Sequence, residues 1–132
     1  SDPFFDSNIV IDWLSRQPKA KTELLRYRRH RISRIVWTEV LAGEEFENRE
    51  GVRQVISAFE VVEVDARSAL AAADIRHRTK MKLMDAYILA TAQVNGAILI
   101  TRNTKDFPAE IPGIRVPYTF EQKAYLPCVA SL

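Results

Sequence analysis

The run Ala97-Ile98-Leu99-Ile100 constrains the fold more than any other part of the sequence. Four consecutive apolar residues are typical of a strand that is buried on both faces, as the central strands of parallel sheets are. The segment before it, residues 83–94, is apolar on nearly every side and predicts a buried helix, which Asn95-Gly96 would end. Because a strand covered on both faces needs a layer on each side, we expect an α/β protein with a sandwiched sheet.

The rest of the chain alternates between strand-like and helix-like segments. β-Branched and aromatic residues predict further strands at residues 4–5, 32–36, 61–64 and 114–116. Apolar residues at helical spacing predict helices at residues 9–14 and 20–29, from Thr38, after Gly51, and at 66–80, the last capped by Asp65. This order predicts a mainly parallel sheet between helices. With 132 residues and no repeat or linker, we expect one domain.

Composition excludes several classes of protein and leaves nucleic-acid binding open. Cys128 is the single cysteine, so no internal disulfide can form, and we expect a reducing, cytoplasmic setting. No apolar run approaches the roughly 20 residues of a membrane-spanning helix, and the sequence has no glycine motif of the nucleotide-binding kind. The net charge is only +2, but basic residues cluster at 19–34 and 76–82. Such clusters fit either solvated helix faces or a phosphate-binding surface.

Four acidic residues stand where the predicted sheet would bring them together. Asp6 follows the first strand, and Asp106 lies in the loop after the strand at residues 97–100. The carboxyl ends of parallel strands share one edge, where functional groups collect. Glu39 and Asp85 are expected in the first turns of their helices, where the helix dipole favours an anion. Each position alone is also typical of a residue that only stabilises its helix. Asp85, however, interrupts an apolar segment, and a buried carboxylate requires a cation, hydrogen bonds or protonation.

Acids without accompanying histidine or cysteine ligands indicate a hard cation. His30 and His77 lack metal-ligand spacing, and Cys128 has no second cysteine. Oxygen-only sites select Mg²⁺ or Mn²⁺ rather than Zn²⁺. The residues themselves therefore favour a Mg²⁺ or Mn²⁺ site. We interpret the remaining acids as parts of solvated helix faces, namely Asp12, Asp74, Glu44, Glu45 and Glu47.

Four short pieces of sequence, each containing one of the four acids, occur in an order typical of a known family. They are Phe5-Asp6-Ser7-Asn8, Glu39-Val40-Leu41-Ala42-Gly43, Leu83-Met84-Asp85-Ala86 leading into Ile88-Leu89-Ala90-Thr91-Ala92, and Leu99-Ile100-Thr101-Arg102-Asn103-Thr104-Lys105-Asp106-Phe107. Together they resemble the PIN-domain proteins, especially the VapC-like toxins of prokaryotic toxin–antitoxin pairs. The likeness extends over residues 4–116, and Met84 stands where such toxins often have proline.

The resemblance implies a fold, a site and partners. The fold is a PIN-like three-layer α/β/α sandwich with a mainly parallel central sheet, forming one PIN domain over residues 1–132 with its core at 4–117 and a tail, 118–132, of unknown role. The implied activity is Mg²⁺- or Mn²⁺-dependent hydrolysis of RNA phosphodiester bonds, with a cognate antitoxin protein and a homodimer as partners. Arg102 is expected to contact phosphate, its alternative being an exposed loop cation. The implied catalytic and metal-site residues are Asp6, Glu39, Asp85 and Asp106, supported by Asn103 and also by Thr101 and Asn8.

Two other functions stay open at the level of sequence. A PIN-like module that binds RNA or a protein without cleaving is disfavoured by the complete set of four acids. A DNA-directed or structure-specific nuclease would use the same metal chemistry, so its catalytic residues would look alike.

Overall fold

The computed structural model describes residues 2–120. In this part of the chain, five short strands form one sheet, namely β1 (Phe4–Phe5), β2 (Arg31–Ser33), β3 (Glu60–Val62), β4 (Leu99–Ile100) and β5 (Ile114–Arg115). The helices are α1 (Ser7–Leu14), α2 (Pro18–Leu24), α3 (Arg34–Ala42), α4 (Phe46–Ile56), α5 (Ala66–Thr79) and α6 (Leu83–Val94). All strand pairs are parallel, and the helices complete a three-layer α/β/α sandwich, so the predicted fold class is confirmed.

The strand order places a crevice beside β1. The order is β3-β2-β1-β4-β5, with Phe4 opposite both Arg31 and Leu99. From β1 the chain steps outward to β2 and β3, and then α5 and α6 carry it back to β4 on the other side of β1. In parallel sheets, a ligand site lies outside the carboxyl ends of the strands where the direction of winding reverses. Here the residues at that point are those following β1 and β4.

The core lies around the two central strands. Phe4, Phe5, Leu99 and Ile100 are at most 1% exposed, and Phe107 from the loop after β4 is fully buried with them. Burying a side chain of this size contributes roughly 1.5–3 kcal/mol, so these strands are held in place by packing despite their shortness. The packed core therefore fixes the positions of the residues that follow β1 and β4.

Helix α6 is buried as predicted, except at its beginning. Its inner residues Ile88 and Leu89 are at most 2% exposed, and Asn95 caps its end with Gly96 in the left-handed region, at φ +63°. Leu83 and Met84, in contrast, are about half exposed, at 49% and 53%. The first turn of α6, which contains Asp85, thus lies at the surface.

The second strand is shorter than predicted, and this changes the position of Glu39. The β-branched residues Ile35 and Val36 suggested a strand, but the Ser33 hydroxyl accepts a hydrogen bond from the Val36 amide at 3.1 Å and begins α3 at Arg34. A capping bond of this kind outweighs the weak preference of two β-branched residues. Glu39 consequently lies in the second turn of α3, and the prediction that it occupies a first turn is wrong.

Two other helix boundaries show what local signals can predict. Helix α4 begins at Phe46 and runs through Gly51, so the prediction that a helix starts after Gly51 is wrong. Asp65 does cap α5, in a reciprocal capping box with Ser68.

No helix between residues 2 and 120 has the length and apolar character needed to cross a membrane. Most of the predicted tail, residues 121–132, lies outside the described residues.

Candidate active site

Asp6 is held rigidly at the carboxyl end of β1. Its side chain caps α1 by accepting a hydrogen bond from the Ser7 amide at 2.8 Å. The other carboxylate oxygen, Oδ2, accepts from the Thr101 hydroxyl at 2.7 Å and from the Asn8 amide group at 3.0 Å. Asp6 is 3% exposed, and burial raises its pKa although these hydrogen bonds act in the opposite direction. The carboxylate is therefore fixed in direction while its charge remains costly.

Glu39 reaches the same region from the second turn of α3. Its pKa is raised, first by burial and then by the negative charge of Asp6, with a smaller effect of Asp85. Among the described residues, its atom Oε1 is buried without a hydrogen-bond partner. An unpaired buried carboxylate oxygen is unfavourable unless a cation or donor satisfies it.

Asp85 approaches from the first turn of α6. Burial, followed by the charges of Asp106 and Asp6, raises its pKa from 3.8 to about 6. Lys82, the residue that precedes α6, acts oppositely and lowers this pKa. The prediction that Asp85 lies in a first helical turn is confirmed. Its pKa is raised all the same, so the favourable helix dipole does not outweigh burial and the repulsion from neighbouring acids.

The loop after β4 contributes Asn103 and Asp106 through a short hydrogen-bonded turn. The Asn103 amide group donates to Asp106 Oδ2 at 2.9 Å, and the Asp106 backbone amide donates to Asn103 Oδ1 at 3.2 Å. The Asn103 backbone amide donates to the buried Thr101 hydroxyl at 3.0 Å. Hydrogen bonding from Asn103, followed by the charge of Lys82 at 3.6 Å, lowers the pKa of Asp106. Asp106 is therefore the one acid of the four whose negative charge is stabilised by its neighbours strongly enough to lower its pKa.

These side chains line an open cleft of about 520 Å³. The cleft brings together all five predicted catalytic residues, and Asn8 also lines it, while Thr101 lies buried behind Asp6. Lys82 is the single basic side chain among the described residues of the wall, and the sequence placed it in a basic cluster without assigning it to the site. The lining residues are Asp6, Ser7, Asn8, Ile11, Glu39, Lys82, Leu83, Met84, Asp85, Asn103 and Asp106.

The residues of the cleft fit a hard divalent cation in chemistry and in charge. Their donors are carboxylate and amide oxygens, which suit Mg²⁺ or Mn²⁺. Three of the four acids have raised pKa values, and Glu39 Oε1 has no partner among the described residues, so the protein compensates the negative charge of the cleft only in part. In residues 2–120 no three acidic, histidine or cysteine groups are grouped closely enough to hold an ion as they stand. Binding would therefore require the side chains to draw together.

The basic residues that sequence analysis linked to phosphate contact are mostly directed elsewhere. The Arg102 guanidinium forms two hydrogen bonds to Asp12, at 2.6 and 3.0 Å, rather than lining the cleft. Asp12 is 7% exposed, so its interpretation as part of a solvated face is wrong. Arg29, which precedes β2, lies toward the opposite edge of the sheet and pairs with Asp2 and Glu60. Within the first basic cluster, Arg29 therefore supports the fold away from the cleft.

Comparison with known proteins identifies what this arrangement is similar to. The family model described as PIN domain matches residues 4–109. A toxin–antitoxin complex from Klebsiella pneumoniae contains a chain that is 40% identical over 89% of this chain and 99% of its own, with a TM-score of 0.83. A search of curated proteins found no match.

Two more distant structures share the fold. In VapBC2 from Rickettsia felis, bound to a DNA fragment from its promoter, the matching chain is 19% identical, with 92% and 100% coverage and a TM-score of 0.75. In DNA-bound VapBC from Salmonella typhimurium it is 24% identical, with 89% and 97% coverage and a TM-score of 0.73.

Proposed function

The chain belongs to the PIN-domain family, and from that premise we propose that it is a Mg²⁺- or Mn²⁺-dependent endoribonuclease, the toxin of a toxin–antitoxin pair. The observation that carries the proposal is the cleft in which Asp6, Glu39, Asp85 and Asp106 converge from four separate elements. Carboxylates whose charge is left uncompensated by the fold are costly, and their clustering in an open cleft is typical of a site that binds a cation.

Asp6, Glu39 and Asp85 would hold the ion, with Asp106 joining them directly or through water. When bound, a divalent cation activates water for attack on a phosphodiester and offsets the charge that develops on the phosphorus oxygens. The protein's own contribution is orientation. Three hydrogen bonds fix the Asp6 carboxylate, and Asn103 fixes Asp106 through a donor and an acceptor. Lys82 stands at the mouth of this acidic cleft, 74% exposed, where its charge would attract a phosphate that the acids repel.

A relative that was solved in a complex supports the proposed antitoxin partner. The Klebsiella pneumoniae chain, 40% identical over almost its whole length, was solved as a toxin–antitoxin complex. We propose that this chain likewise binds a cognate antitoxin, and that it forms a homodimer in that complex. A short neighbouring gene whose product copurifies with this chain and suppresses its activity is the expected finding. A solitary gene would argue against the toxin role.

Cleavage of an RNA pool by the purified full-length chain tests the enzymatic proposal. We expect degradation with Mg²⁺ or Mn²⁺ and none with EDTA, because hydrolysis requires the ion. Asp6→Asn and Asp85→Asn should each lower the rate by at least about 100-fold, since metal catalysis supplies several kcal/mol. Circular dichroism spectra should show that both variants remain folded.

Asp74→Asn is the matched control, because the Asp74 side chain lies on the exposed face of α5 and pairs only with Arg78 in the described structure. It should cleave as the wild type does. Cleavage that persists in EDTA, or in both cleft variants, would overturn the site. A parallel reaction with single-stranded DNA separates the alternatives, since cleavage of DNA alone would favour a DNA-directed nuclease, and cleavage of neither would favour a binding module.

A further inference from the structure

We propose that Asp12 and Arg102 are positioning residues that hold the loop after β4, and with it Asn103 and Asp106, at the cleft. Their effect on catalysis rests on the proposed function, whereas their hold on the loop does not. Arg102 belongs to the loop itself, and Asp12 lies 90 positions earlier, on α1. The pair thus joins the first helix of the fold to the loop that contributes two of the cleft residues.

The geometry of the pair is that of a fixed clamp. Arg102 Nε donates to Asp12 Oδ2 at 2.6 Å, and its terminal nitrogen donates to Oδ1 at 3.0 Å, so both carboxylate oxygens are engaged. The Tyr118 hydroxyl donates a third bond to Asp12 Oδ2 at 2.9 Å. Paired bonds between a planar guanidinium and a carboxylate restrict orientation as well as distance. With its side chain 10% exposed, Asp12 is anchored in the protein and can serve as the immobile half.

The clamp continues into the site through Asn8. The backbone amide of Arg102 donates to Asn8 Oδ1 at 3.2 Å, and Asn8 Nδ2 donates to both Asp6 and Thr101. Thr101 in turn bonds to Asp6 and to the Asn103 amide. Fixing Arg102 therefore fixes the backbone at the start of the loop, one residue before Asn103. Its neighbours there, Asn8 and Thr101, both form hydrogen bonds to Asp6.

A role in phosphate binding is disfavoured by the same contacts. The Arg102 guanidinium is engaged with Asp12 and lies 4.9 Å from the ring centre of Phe120. Moving it to a phosphate would leave Asp12 buried with the Tyr118 hydroxyl as its one remaining side-chain partner between residues 2 and 120, which is unfavourable. Lys82 also lines the cleft, and although its ammonium lies 3.6 Å from Asp106, its side chain is 74% exposed, so it is more accessible to a phosphate than Arg102 is.

Amide hydrogen exchange of the metal-free, full-length chain tests the hold on the loop without depending on any activity. Asp12→Asn and Arg102→Gln should each speed exchange at residues 102–107 by about tenfold or more, since local opening depends on the contacts of the segment. The double variant should be no faster than the faster single variant, because both changes break one shared interaction. Tyr118→Phe removes one bond and leaves the ion pair, so its effect should be smaller but confined to the same amides.

Arg34→Gln provides the matched control. Arg34 also makes a two-bond pair, with Glu63, but on an exposed surface away from the loop. It should leave exchange at residues 102–107 unchanged. Unaltered exchange in either Asp12→Asn or Arg102→Gln would overturn the proposal. The proposal would also be overturned if all three variants, Tyr118→Phe included, accelerated amide exchange evenly over the whole chain. Such a result would indicate general destabilisation rather than release of the loop.

RNA cleavage then separates positioning from phosphate contact. Misplacement of Asn103 and Asp106 should lower kcat in both single variants by about 10- to 100-fold, with KM for RNA changed by less than about twofold. A phosphate contact would instead raise KM in Arg102→Gln and leave Asp12→Asn unaffected, and that result would overturn the positioning role. If the wild-type chain cleaves no RNA in the presence of metal, the proposed function fails, while the exchange data still decide whether the clamp holds the loop.

Discussion

Replacing Asp85 by asparagine should stabilise the metal-free protein at neutral pH. Burial and the charges of Asp106 and Asp6 raise the pKa of Asp85 from 3.8 to about 6. The folded state therefore disfavours the ionised carboxylate relative to the unfolded state. An asparagine side chain at this position would occupy nearly the same volume without the charge, so the substitution removes the repulsion and leaves the packing almost unchanged.

The size of the effect follows from the raised pKa. An increase of roughly two units corresponds to about 3 kcal/mol, at about 1.4 kcal/mol for each unit. Because Asp85 is only partly buried, solvent screening reduces this figure, and we expect about 1–2 kcal/mol. The sign of the pH dependence is fixed by the direction of the shift. With a folded pKa above the unfolded one, the destabilisation is complete above about pH 6 and disappears as the pH falls below about 4.

Urea unfolding followed by circular dichroism measures this prediction. In EDTA at pH 7.5, Asp85→Asn should be more stable than the wild type, and at pH 4 the two should be nearly equal. Saturating Mg²⁺ should reverse the order at pH 7.5, because a ligand at 100 times its Kd stabilises the protein by about 2.7 kcal/mol and the variant would bind it poorly.

Asp74→Asn, which removes an exposed carboxylate from α5, is the control and should show neither effect. A variant at Asp85 that is less stable than the wild type in EDTA at pH 7.5 would refute the reasoning, since the carboxylate would then be favourable without metal. An equal gain at both pH values would also refute it, because the gain would not come from charge.

Three further predictions concern the scaffold of the site and are measured by the same unfolding experiments. Phe107→Ala should lower the free energy of unfolding by about 3–5 kcal/mol, because a fully buried ring anchors the loop after β4; a loss below about 1 kcal/mol would contradict this. Arg115→Met should cost about 3 kcal/mol at pH 7, since it leaves Glu23 buried without its main cation. Arg115 lowers the pKa of Glu23, so this cost should shrink as the pH falls through 4.5, and a constant cost would argue against it. Ser33→Ala should cost about 1 kcal/mol by removing the cap of α3, and an unchanged free energy of unfolding would contradict this.

The architecture could be predicted because it depends on features that the sequence displays locally. Apolar runs at residues 97–100 and 83–94 predicted a central strand and a buried helix, and both are present. The boundaries of the helices and strands were harder to predict. At Ile35 and Val36 the side chains favour a strand, but the hydroxyl of Ser33 satisfies the amide of Val36 and starts a helix instead. Such competition is decided by one hydrogen bond, which composition does not reveal.

The convergence of the four acids could also be predicted. Of the two arguments for it, the one from strand ends was correct, and the one from helix dipoles was correct for Asp85 but not for Glu39. Asp6 and Asp106 follow strands whose carboxyl ends must share an edge, and that argument depends only on parallel pairing. Glu39 arrives from a second helical turn, so the dipole argument for it fails while its position in the cleft stands. Lys82 was recognised as part of a basic cluster but was not assigned to the site, because its place there depends on Asp106, which is 3.6 Å away in space but distant in sequence.

Asp12 shows why the fate of a charged residue depends on pairing that only the fold creates. By sequence it is one more acid on an amphipathic helix, no different in kind from Asp74. In the structure it meets Arg102 and Tyr118, so its charge is compensated within the protein and serves to hold a loop. Asp6, Glu39 and Asp85 share one cleft instead, where burial raises the pKa of all three and the charge of neighbouring acids raises those of Glu39 and Asp85 further. Burial alone therefore does not mark a functional acid. At Asp6, Glu39 and Asp85 the cost of burying the charge exceeds the compensation from neighbouring groups, and a bound cation would offset that cost.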